Sequence, residues 1–178
     1  MPAEIEIPAE HVHETVHEEA EKSKERWIVA VALSTAMLAV FAAITALMAS
    51  HHANETMIEQ LHASDQWSYY QAKGIKSAIL ESKMTLLKGM GRESESHDQE
   101  TITRDKEEQQ QIEESVRENE KSSGEHLQMH NILARAVTAF QIAIATSAIA
   151  VLTRRKWLWI GSILLGIAGI VLFMQGLL

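Results

Sequence analysis

Residues 27–48 read WIVAVALSTAMLAVFAAITALM, and no Asp, Glu, Lys or Arg interrupts them. Residues 136–152 and 157–178 are equally free of these charged residues, and residues 132–134 extend the shorter middle run. A helix rises about 1.5 Å per residue, so about 20 apolar residues cross a hydrocarbon core of roughly 30 Å. The sequence therefore predicts three transmembrane helices, at residues 27–48, 132–152 and 157–178.

The composition argues against several classes of function. The chain contains no cysteine, which excludes disulfides, thiolate metal sites and cysteine nucleophiles. The net charge is −8, and no acidic residue follows Glu125. We expect no nucleic-acid partner, because phosphate binding requires a basic surface. We also expect no signal peptide, because residues 1–26 are highly charged and the next apolar run is too long.

Basic residues near the predicted spans indicate the orientation. Residues 153–156, Thr-Arg-Arg-Lys, form a short basic turn, and residues 22–26 place Lys and Arg just before the first span. Short basic loops remain in the cytoplasm. We therefore expect a cytoplasmic acidic and His-containing tail at residues 1–26 and a cytoplasmic turn at residues 153–156. Residues 49–131 and the C-terminus should then be extracytoplasmic.

Residues 49–131 are polar, but their periodicity is helical. A coiled-coil heptad repeat can be followed through nine positions of this stretch. These are Ile58, Leu61, Asp65, Ser68, Ala72, Ile75, Ile79, Ser82 and Leu86. Glycines at residues 89 and 91 then favour a turn, and Ser94 or Ser96 is a candidate cap for the next helix. The Ser-Ser-Gly sequence at residues 122–124 favours a break or a kink in that helix.

The predicted fold is therefore an all-α membrane protein. Its three transmembrane helices flank a long extramembrane antiparallel coiled-coil hairpin at residues 49–131, between the first and second spans, with its turn near residues 89–94. A disordered acidic loop is the alternative, because the second arm is very polar.

Small residues recur at alternating spacings of three and four in the first two spans. Such stripes allow close approach of helices in lipid, or they line a channel or carrier. Tight helix packing is the favoured interpretation, because no charged residue lies on either stripe. The predicted packing residues are Ala32, Ala36, Ala39, Ala43, Ala136, Ala139 and Ala143.

Four histidines flank the central stretch. His51 and His52 follow the first span, and His126 and His130 precede the second. The predicted topology brings these four side chains to one membrane surface, where imidazoles could bind a divalent metal ion or respond to pH. We expect no other cofactor. Interfacial histidines without a ligand remain the alternative.

The most unusual local sequence is DQWSYYQAK at residues 65–73. On a helix, Trp67 and Tyr70 share one face, whereas Tyr69 and Lys73 share another with Asp65. The cluster is interpreted either as a packed coiled-coil layer, with Asp65 and Gln71 as polar core residues that fix the register, or as a contact site for a partner or ligand. No nucleophile and base pair is apparent, so we expect no enzyme.

This motif, with the charged tail, the acidic helix and the basic turn between two closing spans, resembles a bacterial family catalogued as domain of unknown function 4337. The most specific part is Trp-x-Tyr-Tyr-Gln-Ala-Lys at residues 67–73. The resemblance implies a protein of the bacterial inner membrane and implies no activity.

The leading hypothesis for function is a non-enzymatic integral membrane protein that forms a homo-oligomeric scaffold or accessory stalk. It would contact membrane lipid and self-associate through the hairpin and the first two transmembrane helices. One alternative is a channel or carrier linked to metal ions or pH through the His cluster. Another is an accessory subunit of a larger membrane complex.

Overall fold

The computed structural model describes residues 26–93 and 96–177, so the predicted tail lies almost entirely outside the described residues. These residues form three helices, α1 (Arg26–Gly89), α2 (Ser96–Thr153) and α3 (Lys156–Gln175), and no strand is present in either range. Each helix contains a segment long and apolar enough to cross a membrane, which indicates a membrane protein. The predictions of an all-α fold and of three such helices are confirmed.

Helix α2 continues through residues 122–124, so the predicted break there is wrong. The two serine hydroxyls bond to α1 instead of competing for their own backbone. Ser122 Oγ donates to Glu59 Oε1 at 2.5 Å, and Ser123 Oγ donates to the carbonyl oxygen of Thr56 at 3.2 Å. These bonds remove the reason for a break.

Helix α1 ends in a Schellman motif at the glycine pair. Gly91 has a φ of +69°, and its N–H donates to Lys88 O at 3.1 Å. Arg92 N–H donates to Leu87 O at 2.9 Å, so two carbonyls at the end of the helix gain partners. Helix α2 begins at Ser96, and Asp98 in its first turn is favourably placed against the helix dipole.

The described residues form two compact units. Unit 1 comprises residues 26–53 and 127–177, and unit 2 comprises Asn54–His126. In unit 1, most buried residues of α1 and α2 recur at alternating spacings of three and four, the pattern of helices that pack with a small crossing angle. On α1 this repeat comprises Ile28, Val31, Thr35, Leu38, Ala42, Thr45 and Ala49, and on α2 it comprises Leu133, Ala136, Phe140, Ala143, Ser147 and Ala150. Ala32, Ile144 and Val151 are also buried, each next to a member of the repeat.

Helix α3 packs against this pair through glycines. A Cβ atom on Gly169 would lie 2.7 Å from Phe140 Cε1, and a Cβ on Gly166 would lie 2.6 Å from Leu38 Cδ2. Leu33 and the other large apolar side chains of α1 that do not face this contact stay exposed. Because glycine has no side chain at these two positions, α3 can approach α1 and α2 closely, which favours helix association in lipid.

Hydrogen bonds between side chains join the helices of unit 1. The hydroxyls of Thr35 on α1 and Ser147 on α2 lie 2.8 Å apart, and both side chains are fully buried. Trp159 Nε1 on α3 donates to Ser34 Oγ on α1 at 3.1 Å. These bonds satisfy polar atoms that would otherwise be costly inside an apolar bundle.

Candidate interaction surface

Within unit 2, the contact between α1 and α2 is mainly polar. Its apolar buried residues are few, namely Ala63, Ile102 and Val116, whereas Thr56, Ser77, Asp98, Thr101, Asp105 and Ser123 are buried polar residues. The cross-helix bonds follow reversed chain order: Asn119 Nδ2 donates to Gln66 Oε1 at 3.0 Å, and Gln109 Nε2 donates to Tyr70 O at 3.1 Å. This contact therefore supplies specificity through hydrogen bonds more than through apolar burial.

Lys73 is the centre of an ion cluster between the two helices. Its Nζ lies 2.9 Å from Asp105 Oδ1 and 2.5 Å from Glu108 Oε2, and Lys76 Nζ lies 3.3 Å from Asp105 Oδ2. The Asp105 side chain is fully buried, whereas Lys73 keeps 14% of its side chain exposed. A buried carboxylate is tolerated here because two ammonium groups face it.

The same contacts shift the pKa values of the cluster. The hydrogen bond from Lys73 lowers the pKa of Asp105 below its ordinary value, although burial opposes the shift. The Lys73 ammonium also lowers the pKa of Glu108. In return, the bonds to Glu108 and then Asp105 raise the pKa of Lys73. All three groups are therefore held in their charged forms at neutral pH.

The aromatic residues of the motif lie beside this cluster. The Trp67 and Tyr70 rings meet edge to face with centroids 5.3 Å apart, and Trp67 Nε1 donates to Glu120 Oε1 at 3.2 Å. Lys73 Nζ lies 5.3 Å from the centroid of the Tyr69 ring. Asp65 and Gln71, predicted as polar core residues, are exposed, so the contact with α2 does not contain them.

The heptad positions of α1 face away from α2. Ile58 and Leu61 are 46% and 64% exposed, and Ile75, Ile79 and Leu86 are 62%, 63% and 69% exposed. The remaining members of the repeat, the polar residues Asp65, Ser68 and Ser82 and the small Ala72, are exposed as well. We call these nine residues the heptad stripe. Part of it lines a shallow groove of about 520 Å³ between Ile75 and Leu86.

The residues of α1 that contact α2 form a second repeat on the same helix. They include Thr56, Glu59, Gln66, Tyr70 and Lys73, again at spacings that fit a heptad. At 3.5 residues per turn, the two repeats lie about 150° apart around the helix. Helix α1 therefore has one polar side occupied by α2 and one apolar side without a partner in unit 2.

The four histidines of the predicted metal site make different contacts. His130 Nδ1 donates to Ala49 O at 2.8 Å in unit 1, where the rings of His51 and His52 have centroids 5.6 Å apart. In unit 2, His126 Nε2 lies 3.8 Å from Glu59 Oε1. Among residues 26–93 and 96–177, no group of three or more His, Cys, Asp or Glu could hold a metal ion. The predicted metal site gains no support and stays a prediction.

The predicted alanine stripes lie close to the buried faces of unit 1. On α2, Ala136 and Ala143 are buried and Ala139 is half-buried. On α1, Ala32 is buried, Ala36 and Ala39 are half-buried, and Ala43 is exposed, because the buried face of α1 is displaced by one residue toward the N-terminus. Bulkier Val31, Leu38 and the threonines therefore make most of the α1 contact.

The structure thus defines an all-helical protein of membrane type with a polar, ion-paired helix contact and an exposed heptad stripe. The chain belongs to the family described as Domain of unknown function (DUF4337), which matches residues 27–178. No curated protein and no solved structure matches the chain.

Proposed function

We propose that this protein is a non-enzymatic membrane scaffold whose copies associate along the heptad stripe of α1. The observation that carries the proposal is the exposed apolar repeat opposite the α2 contact. A heptad pattern is complementary to another copy of itself, because its side chains fit between those of a neighbouring helix. The second copy therefore supplies the partner that unit 2 lacks.

The energetics of unit 2 favour such an association. An isolated pair of helices with a polar contact buries little apolar area and is marginally stable. Burying an isoleucine completely contributes roughly 1.5–3 kcal/mol, so the exposed three fifths of Ile75 and Ile79 correspond to about 1–2 kcal/mol each. Two copies that pair along the stripe bury both residues twice, which corresponds to roughly 4 kcal/mol or more.

The proposal includes a membrane location for unit 1 and an extracytoplasmic location for unit 2. Large apolar side chains on the outer faces of unit 1, such as Leu33, Leu47 and Leu164, are more than 60% exposed, which suits contact with lipid. The basic turn at residues 153–156 supports a cytoplasmic location for that end of unit 1. The reversed order of contacts supports an antiparallel hairpin in unit 2. The proposal takes the bacterial inner membrane as the location, which the family resemblance implies.

The test is the mass of the full-length protein in mild detergent, corrected for bound detergent. The wild type should be a homo-oligomer, and Ile75→Ser with Ile79→Ser should raise the dissociation constant on the order of a thousandfold. The matched control is Met90→Ser, because Met90 is 70% exposed but lies beyond the end of α1. A monomeric wild type, or equal masses for wild type and the double variant, would refute the proposal.

A further inference from the structure

Three cationic side chains line a cleft in unit 1. Arg26 from the start of α1 and Arg154 and Lys156 from the α2–α3 turn surround a volume of about 660 Å³, together with Trp27. Lys156 Nζ lies 5.8 Å from the centroid of the Trp27 ring, which restrains the ammonium group at the edge of the cleft. Two separate segments of the chain therefore direct positive charge to one place.

The described residues of unit 1 include no acidic side chain that could neutralise this charge. Residues 26–53 and 127–177 contain five Lys or Arg residues and neither Asp nor Glu. Four of the five are Arg26, Arg154, Arg155 and Lys156, and none of them takes part in an ion pair within the described parts of the chain. Like charges that line one cleft repel one another, so an anion from outside these described residues would stabilise the cluster.

The backbone places Arg154 in a conformation that glycine adopts more easily. Its φ is +53°, and α2 ends there in a Schellman motif in which Arg154 N–H donates to Val151 O and Arg155 N–H donates to Ala150 O, both at 3.1 Å. The left-handed conformation costs a non-glycine residue roughly 1–2 kcal/mol. The turn therefore keeps an arginine where stability alone favours glycine.

Apolar side chains close to the cationic residues in the sequence indicate what kind of anion fits. Val29, Leu152 and Trp157 lie within three residues of Arg26, Arg154 and Lys156, respectively, and are 52%, 68% and 62% exposed. A soluble phosphate would leave these surfaces uncovered, whereas a phospholipid places its acyl chains against them when its phosphate reaches the cations.

We propose that this cleft binds the phosphate of an anionic phospholipid headgroup. The inference rests on the membrane location proposed above and does not depend on self-association. Arg154 and Lys156 supply the charge, and the lipid fixes the end of unit 1 at the membrane surface. Each cation at an anionic surface contributes roughly 1 kcal/mol, which corresponds to about a fivefold change in affinity.

Native mass spectrometry of the full-length protein in nonionic detergent tests the proposal, with phosphatidylglycerol as the probe and phosphatidylcholine for comparison. The wild type should bind phosphatidylglycerol more tightly. Arg154→Gly should weaken that binding about fivefold, and Arg154→Gln with Lys156→Gln about 25-fold. The matched control is Arg135→Gln, which removes an exposed cation of unit 1 outside the cleft and should leave the affinity unchanged.

Arg154→Gly also separates binding from folding. Because glycine relieves the left-handed conformation, the thermal unfolding midpoint of this variant should equal or exceed that of the wild type while its lipid affinity falls. Equal phosphatidylglycerol affinity for wild type and Arg154→Gly would overturn the proposal. Displacement of the lipid by millimolar inorganic phosphate would assign the cleft to a soluble anion and also overturn it. Failure of the scaffold proposal would instead appear as a monomeric mass for the wild type, with its phosphatidylglycerol affinity unaffected.

Discussion

Replacing Gly169 with alanine should destabilise the packing of α3 in unit 1. The new Cβ would lie 2.7, 2.8 and 3.1 Å from Cε1, Cδ1 and Cζ of the Phe140 ring. Ordinary carbon contacts are about 3.5–4.0 Å, so the ring or α3 must move by about 1 Å. Phe140 is fully buried, so a movement of its ring disturbs the side chains around it. Overpacking of this kind costs roughly 1–3 kcal/mol.

Gly161→Ala is the matched control for this substitution. It makes the same chemical change in the same helix, but nothing lies within 4 Å of its added Cβ. The difference in intrinsic helix propensity between glycine and alanine therefore cancels in the comparison. Unfolding of the detergent-solubilised protein, followed by circular dichroism, should place Gly169→Ala roughly 1–3 kcal/mol below Gly161→Ala.

A second substitution tests whether Phe140 is the cause. Phe140→Leu shortens the side chain, so the double variant Gly169→Ala with Phe140→Leu should lose less stability than the sum of the single variants, with a coupling of about 1 kcal/mol. Equal stability of Gly169→Ala and Gly161→Ala, or strict additivity in the cycle, would refute the close contact between α3 and α2.

The ion cluster and the buried hydroxyl pair give two further predictions. The pKa values of Asp105 and Glu108 are lowered from their ordinary values of 3.8 and 4.5. The two carboxylates therefore stabilise the folded state at a pH above those ordinary values, and this contribution is lost as the pH falls through the lowered pKa values. Lys73→Met should therefore lower the thermal unfolding midpoint at neutral pH, and the midpoint of this variant should fall less than that of the wild type between about pH 6 and pH 3. The control is Lys121→Met, because the Lys121 side chain is 79% exposed and lies outside the cluster. The same pH profile in both variants would contradict the cluster. Thr35→Val should lower the free energy of unfolding by about 0.5–1 kcal/mol more than Thr138→Val. Both threonine hydroxyls bond to their own helix, but only that of Thr35 also bonds to Ser147. Equal free energies of unfolding for the two variants would contradict that bond.

The apolar segment of each helix could be predicted from the sequence, because its length and its lack of charged residues decide it. The polar part of α1 could be predicted as helical from its heptad repeat. The residues that pack α3 could not be predicted in full: Gly166 and Gly169 are visible as small residues, but their partners Leu38 and Phe140 depend on how three helices meet. The alanine stripe of α1 lies one residue from the centre of the buried face in unit 1, because alanines and larger side chains alternate around this helix.

Only one member of the ion cluster could be singled out from the sequence. Lys73 lies within the unusual motif, but Asp105 and Glu108 resemble solvent-exposed residues of an acidic helix until α1 is placed beside them. The heptad stripe could be predicted from the sequence, but a heptad repeat does not show which helix packs against it. Only the exposure of Ile75 and Ile79 shows that α2 is not that partner in unit 2.

Disulfide cross-linking tests the association along the stripe most directly. The chain has no cysteine, so Ile79→Cys introduces a single reactive thiol. Copies inserted in a membrane with one orientation run parallel, so residue 79 of one copy should face residue 79 of the next. Mild oxidation of membranes that contain this variant should produce a covalent dimer, and the exposed control Gln110→Cys on α2 should remain monomeric. A monomeric Ile79→Cys, or equal cross-linking of both variants, would contradict association through the heptad stripe.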